Sequence, residues 1–168
     1  MNAPENIFLP DVQATPDTRR LAIQQVGVKG LRYPLQLENA DGERVSTVAT
    51  LAMTVGLPPD VKGTHMSRFV ELIEMQREAL TQNGLSRLLD DMLLRFDARS
   101  GRIELSFPYF IRKAAPVSGV ESLLDYDVVL IAERREGECT DLTLRVVAAV
   151  TSLCPCSKKI SDYGAHNQ

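Results

Sequence analysis

The chain has 168 residues, 44% of them hydrophobic and 24% charged, with a formal net charge of −3 at pH 7. That length holds one domain with a full core and falls short of two, and the composition is the ordinary globular one. The negative balance excludes a nucleic-acid binder that works by neutralising phosphates, but leaves room for a local basic pocket and a small anionic substrate.

Residues 1–28 read as an extended N-terminal arm, with Pro4, Pro10 and Pro16 and no sustained period; 29–168 read as the folded domain. Leu31, Tyr33, Leu35 and Leu37 alternate with polar residues, the period of a half-buried strand. Asp41-Gly42 supplies a turn, and Val45 to Val55 return as a second strand that Leu57-Pro58-Pro59 ends. Pro34 cannot donate to a ladder, so the first strand is expected at an edge or bulged there. After a polar loop, residues 67–80 read as a helix with Phe69, Val70, Ile73 and Leu80 as its stripe. Asn83-Gly84 is expected to break it. Leu85, Leu88, Leu89, Met92, Leu93 and Phe96 then carry the strongest helical period in the chain. Three strands follow, at Ile103–Ile111, Leu124–Ala132 and Leu142–Val150, with Pro108 expected at an edge or bulge. The order predicts an α+β fold, an antiparallel sheet with two helices packed on one face.

The last strand pattern runs into Cys154-Pro155-Cys156-Ser157-Lys158-Lys159, with His166 a few residues on. Thiolate sulfur and imidazole nitrogen are ligands a borderline-soft divalent ion prefers, and the lysines would lower a thiol pKa and attract phosphate. Three readings stay open: buried inert cysteines, a strained Cys-x-Cys redox pair, or a metal site joining one or both thiolates to His166. Three cysteines in all make no disulfide framework. With no charged-then-apolar leader and no apolar run of membrane-spanning length, a reducing cytoplasm is the expected compartment. His65, in the loop before the first helix, and Arg68 form a candidate anion site, against a helix merely capped by Thr64 or Ser67.

Leu57 to Phe69 (LPPDVKGTHMSRF), Thr151 to Lys158 (TSLCPCSK) and Tyr163 to Gln168 (YGAHNQ) closely resemble the type IB GTP cyclohydrolase I family. Leu9 to Gln13 and Val26 to Pro34 are similar to it as well. The resemblance covers essentially the whole chain. It implies a tunnelling fold, assembled as a homo-oligomer around a barrel. It also implies conversion of GTP and water to 7,8-dihydroneopterin triphosphate and formate, the first step of folate biosynthesis. The family's metal-binding cysteine corresponds to Cys154, which would thus be catalytic, and its first metal-binding histidine to His166; the divalent ion would be Zn, Mn or Fe. Family members are longer, and their remaining ligands, a glutamate and a second histidine, lie beyond residue 168, so the sequence reads as the N-terminal portion of a longer chain. Lys158, Arg68 and His65 are the expected triphosphate contacts. The resemblance leaves Cys156 without a role. The alternatives are a tunnelling-fold nitrile reductase with Cys154 as nucleophile, or a non-catalytic oligomeric module that binds a pterin or a metal.

Overall fold

Alternate residues Ala49, Leu51, Met53, Val55 and Leu57 are buried, the signature of a strand with one face on the core. They belong to a computed structural model that describes residues 18, 20–39, 41–76, 78–114, 118–153, 156, 159 and 165–167, with the backbone path alone for 151–153 and 165–167. The elements run β1 Ile23–Glu38, β2 Arg44–Leu57, α1 Ser67–Met75, α2 Gln82–Arg95, β3 Gly101–Ala114, β4 Glu121–Arg134, β5 Asp141–Val147, β6 Thr151–Leu153 and β7 Ala165–Asn167. Strands β1 to β5 form one antiparallel sheet in chain order. The expected α+β class and the order of the first seven elements hold; the fifth strand stops at Val147 instead of running on to Val150, and the short strands β6 and β7 were not anticipated.

Matching parity carries the apolar face across the sheet. Leu31, Leu51, Leu105, Leu130 and Leu144 lie in one register row, and Val28, Met53, Ile103, Ala132 and Leu142 in another. Onto this face pack Phe69, Leu72 and Ile73 of α1 and the whole predicted stripe of α2, from Leu85 to Phe96. The Phe69 and Phe96 rings stack at 4.2 Å between centroids, joining the helices. Arg95 pairs with Glu71, and Arg134 ties β4 to Asp90 of α2.

Several local expectations change. β1 begins at Ile23, eight residues before the visible alternation, and takes in residues counted above with the arm. Register shifts between Ile23 and Val26 and between Lys29 and Leu31, with Gly30 at φ +76°, hide the period there. α1 stops at Met75, so Leu80 is not helical. It lies beside the edge of β1, donating its N–H to the Gln36 carbonyl at 2.7 Å and accepting from Glu38 N–H at 3.2 Å. Val70, expected in the apolar stripe, is exposed. Asn83-Gly84 does not break a helix but lies in the first turn of α2, where Thr81 Oγ1 accepts from Gly84 N–H at 2.9 Å. Pro34 is on an edge strand, as expected. Pro108 sits on the inner strand β3 in unshifted register with Asp127. Pairing of β2 with β3 ends at Thr50 and Ser106, two residues before it. Its carbonyl faces β2, accepting from Thr47 at 3.4 Å, so the missing N–H points where no ladder bond is required.

Candidate functional site

β5 ends at Val147, residues 148–150 are exposed, and the chain then enters a second, two-stranded sheet. Its register pairs Thr151 with Asn167, Ser152 with His166 and Leu153 with Ala165. The short antiparallel pairing therefore draws the stretch before the thiols against the stretch that carries the imidazole. Ser152, opposite His166, precedes Cys154 by two residues. Cys154, Lys158 and the side chain of His166 lie outside the described residues. Cys156 is exposed with a free thiol, and its carbonyl accepts from Lys159 N–H at 3.2 Å. Cys139, in the β4–β5 turn, is also free and exposed. Among the described residues no group of three or more His, Cys, Asp and Glu side chains is placed to hold a metal ion.

His65 and Arg68 are described, and both are half-buried. The Arg68 N–H donates to the His65 carbonyl at 3.2 Å, closing the turn that starts α1. The helix begins on Met66 without a side-chain cap, so the expectation that Thr64 or Ser67 caps it does not hold. Their loop follows β2, whose final residues pair with Ile23 and Gly101. β5 instead leaves the sheet beside Asp127, at the opposite end of the strands. Its seven residues span roughly 20 Å at about 3.3 Å each. The loop carrying His65 and the segment carrying Cys154 thus depart from opposite ends of the sheet.

One polar constellation was not singled out by motif. On the face of the sheet away from the helices, Arg102 donates to Glu104 at 2.8 Å and to Glu133 at 2.6 Å. The hydrogen bond to Glu104 is the largest influence raising the guanidinium pKa above its ordinary value; partial burial opposes it and Glu133 adds to it. The i, i+2 spacing of Arg102 and Glu104 on one strand was the available signal.

Fold and sequence together define a class: a five-stranded antiparallel sheet roofed by a helix pair, whose last strand leads into a short two-stranded sheet that carries His166 and whose first strand is followed in sequence by Cys154. The family described as type I GTP cyclohydrolase FolE2 matches residues 9–168. GTP cyclohydrolase FolE2 1 of Dechloromonas aromatica (strain RCB) is 79% identical over 168 residues, all of this chain and 63% of that protein. GTP cyclohydrolase FolE2 2 of Cupriavidus metallidurans is 60% identical over 160 residues, 95% of this chain and 59% of that protein. FolE2 of Burkholderia ambifaria (strain MC40-6) is 58% identical over the same length. The chain belongs to the type I GTP cyclohydrolase FolE2 family, which is the type IB family of the resemblance. It spans about 60% of the length of the curated relatives it matches. Among the described residues no helix is long and apolar enough to cross a membrane.

Proposed function

We propose that this chain carries the Cys154–His166 part of a metal-dependent GTP cyclohydrolase I, on a tunnelling fold, that converts GTP and water to 7,8-dihydroneopterin triphosphate and formate for folate biosynthesis in the cytoplasm. The observation that carries the reading is the family match over residues 9–168, which runs through both candidate ligands. The β6–β7 pairing supports it, because it draws the stretch just before Cys154 against the stretch that carries His166.

The donor set fits a divalent Zn, Mn or Fe ion, one thiolate and one imidazole being ligands such ions accept. When bound, the ion supplies Lewis-acid activation of water for attack at purine C8. Cys154 would be the thiolate ligand, with Lys158 and Lys159 nearby in sequence. His166 would hold the ion through one ring nitrogen, leaving the other to take an orienting hydrogen bond. Opening the ring leaves a formamide whose hydrolysis releases formate, after which the sugar rearranges and the ring recloses. Lys158 holds the triphosphate beside the thiol. His65 and Arg68 start from the far end of the sheet, so they reach a triphosphate at Cys154 of a neighbouring copy in a homo-oligomer.

Formate release from GTP by the intact protein, with Mn(II), Fe(II) or Zn(II) restored after chelation, tests this reading. Metal-dependent turnover abolished by Cys154→Ala is the expected result. Cobalt substitution adds a readout independent of turnover: a thiolate-to-cobalt charge-transfer band, present in the wild type and missing from Cys154→Ala. NADPH consumption with a nitrile substrate would favour the reductase instead, and silence in both assays a non-catalytic binding module.

A further inference from the structure

The sequence contains a single Asn-Gly pair, Asn83-Gly84. In a flexible, exposed chain such a pair is chemically unstable. The glycine nitrogen attacks the side-chain carbonyl carbon of the asparagine, the carboxamide nitrogen leaves as ammonia, and a cyclic succinimide forms. Water then opens the ring at either carbonyl. One opening leaves aspartate; the other leaves isoaspartate, with the main chain rerouted through the former side chain. Glycine makes the attack easy, because no Cβ shields its nitrogen and its backbone turns freely.

Here both residues lie in the first turn of α2, with Asn83 exposed and Gly84 buried. Two features keep the pair from reacting. In a helical backbone, with ψ about −42°, the Gly84 nitrogen does not stand over the Asn83 side-chain carbon, so ring closure requires Asn83 to leave the helix. The Gly84 N–H also donates to Thr81 Oγ1 at 2.9 Å, which occupies the nucleophile. Leu85 N–H, donating to the Thr81 carbonyl at 3.0 Å, closes the same turn. The glycine itself is needed for packing: a methyl group on Gly84 would stand 3.2 Å from Thr81 Oγ1 and 3.5 Å from Leu80 Cδ1. The fold thus places a reactive dipeptide where a less reactive residue fits poorly, beside the side chain that restrains it.

We propose that Asn83 is a deamidation site gated by the Thr81 cap. It reacts only from the state in which the first turn of α2 has opened, so Thr81 sets its rate. Helix ends are where local opening requires the least free energy. The reaction needs nothing but water, and its two products act in opposite directions. Aspartate places a carboxylate beside the partial positive charge of the helix N-terminus, in a first turn that has no acidic residue of its own. Isoaspartate adds a methylene to the main chain between residues 83 and 84, so the Gly84 and Leu85 N–H groups no longer both meet Thr81 and the cap does not re-form. Leu85 is 2% exposed, so loosening that turn reaches the core.

The test incubates the intact protein in mildly alkaline buffer, one sample folded and one unfolded in guanidinium chloride. Circular dichroism confirms the state of each sample. Trypsin then releases Glu78–Arg87, whose mass gain and isoaspartate content report on Asn83. Folded wild type is expected to deamidate at least 10-fold more slowly than the unfolded chain, ten-fold corresponding to an opening of about 1.4 kcal/mol. Thr81→Ala should raise the folded rate about 5-fold, the change that loss of a cap worth about 1 kcal/mol produces, and leave the unfolded rate unaltered. Thr81→Ser, which keeps the hydroxyl, should return the folded rate to that of wild type. Equal rates in folded and unfolded wild type would overturn the gating. A folded Thr81→Ala that reacts no faster than wild type would overturn it too, since the helical backbone alone would then be the protection. Mass gain without isoaspartate would rule out the succinimide route on which the proposal depends.

Discussion

A methyl group added to Gly27 would lie 1.9 Å from the Met53 carbonyl oxygen and 2.8 Å from the Thr54 Cα, both backbone atoms that cannot swing aside. Gly27 is paired with Thr54 between the two register shifts of β1, so the strands approach there more closely than a side chain permits. Gly27→Ala must push β1 away from β2, and we expect a cost of about 1–3 kcal/mol, a fall of roughly 3–10 °C in the melting temperature for a chain this size. Gly63→Ala is the matched control: nothing lies within 4 Å of its added methyl, and its φ is not positive. It should leave the transition within about 2 °C of wild type or raise it slightly. Calorimetry on the pair separates close approach from a general intolerance of glycine replacement. The sequence reading placed Gly27 in the N-terminal arm, not in a strand. It did not show which carbonyl stood over it, since that depends on a register set by a partner 27 residues away.

At the scale of elements, periodic segments were readable and their ends were not. The α2 stripe from Leu85 to Phe96 is buried as its spacing required, because no other arrangement hides six large apolar side chains on a helix of that length. Its start was misplaced because Asn-Gly is turn chemistry in isolation, whereas here Gly84 is buried and its N–H is taken by Thr81 Oγ1 at 2.9 Å. That single bond is the cap. Thr81→Ala should cost about 1 kcal/mol, a drop of roughly 2–4 °C, with Thr81→Ser recovering most of it; equal loss in both variants would assign the effect to the threonine methyl. Leu80 was misread for a related reason. Helical spacing and a place beside the edge of β1 both bury it, and only the backbone bonds to Gln36 and Glu38 tell them apart.

At the scale of the whole molecule, the described core and the candidate ligands occupy different stretches of chain. Among the described residues the buried cluster draws on β1 to β4, α1 and α2, and its most C-terminal member is Ala132; Leu142 only packs against its rim. Beyond Val147 the next three residues are exposed, so the segment leading to Cys154 leaves the core. The candidate ligands were legible because thiol, imidazole and lysines crowd into thirteen residues. Their relation to His65 and Arg68 was not, because sheet topology alone decides which strand ends are neighbours. If this division of labour is right, Cys154→Ala and His166→Ala remove donors without removing packing. Melted in chelator, where no bound ion stabilises either protein, both variants should unfold within about 2 °C of wild type, less than the shift that 1 kcal/mol produces at this size. On the proposed function, the same substitutions in the intact protein should still abolish formate release from GTP. A transition lowered by 5 °C or more, on the order of 1–2 kcal/mol, would mean that these side chains are packed into the fold, and the loss of turnover would then no longer identify them as ligands.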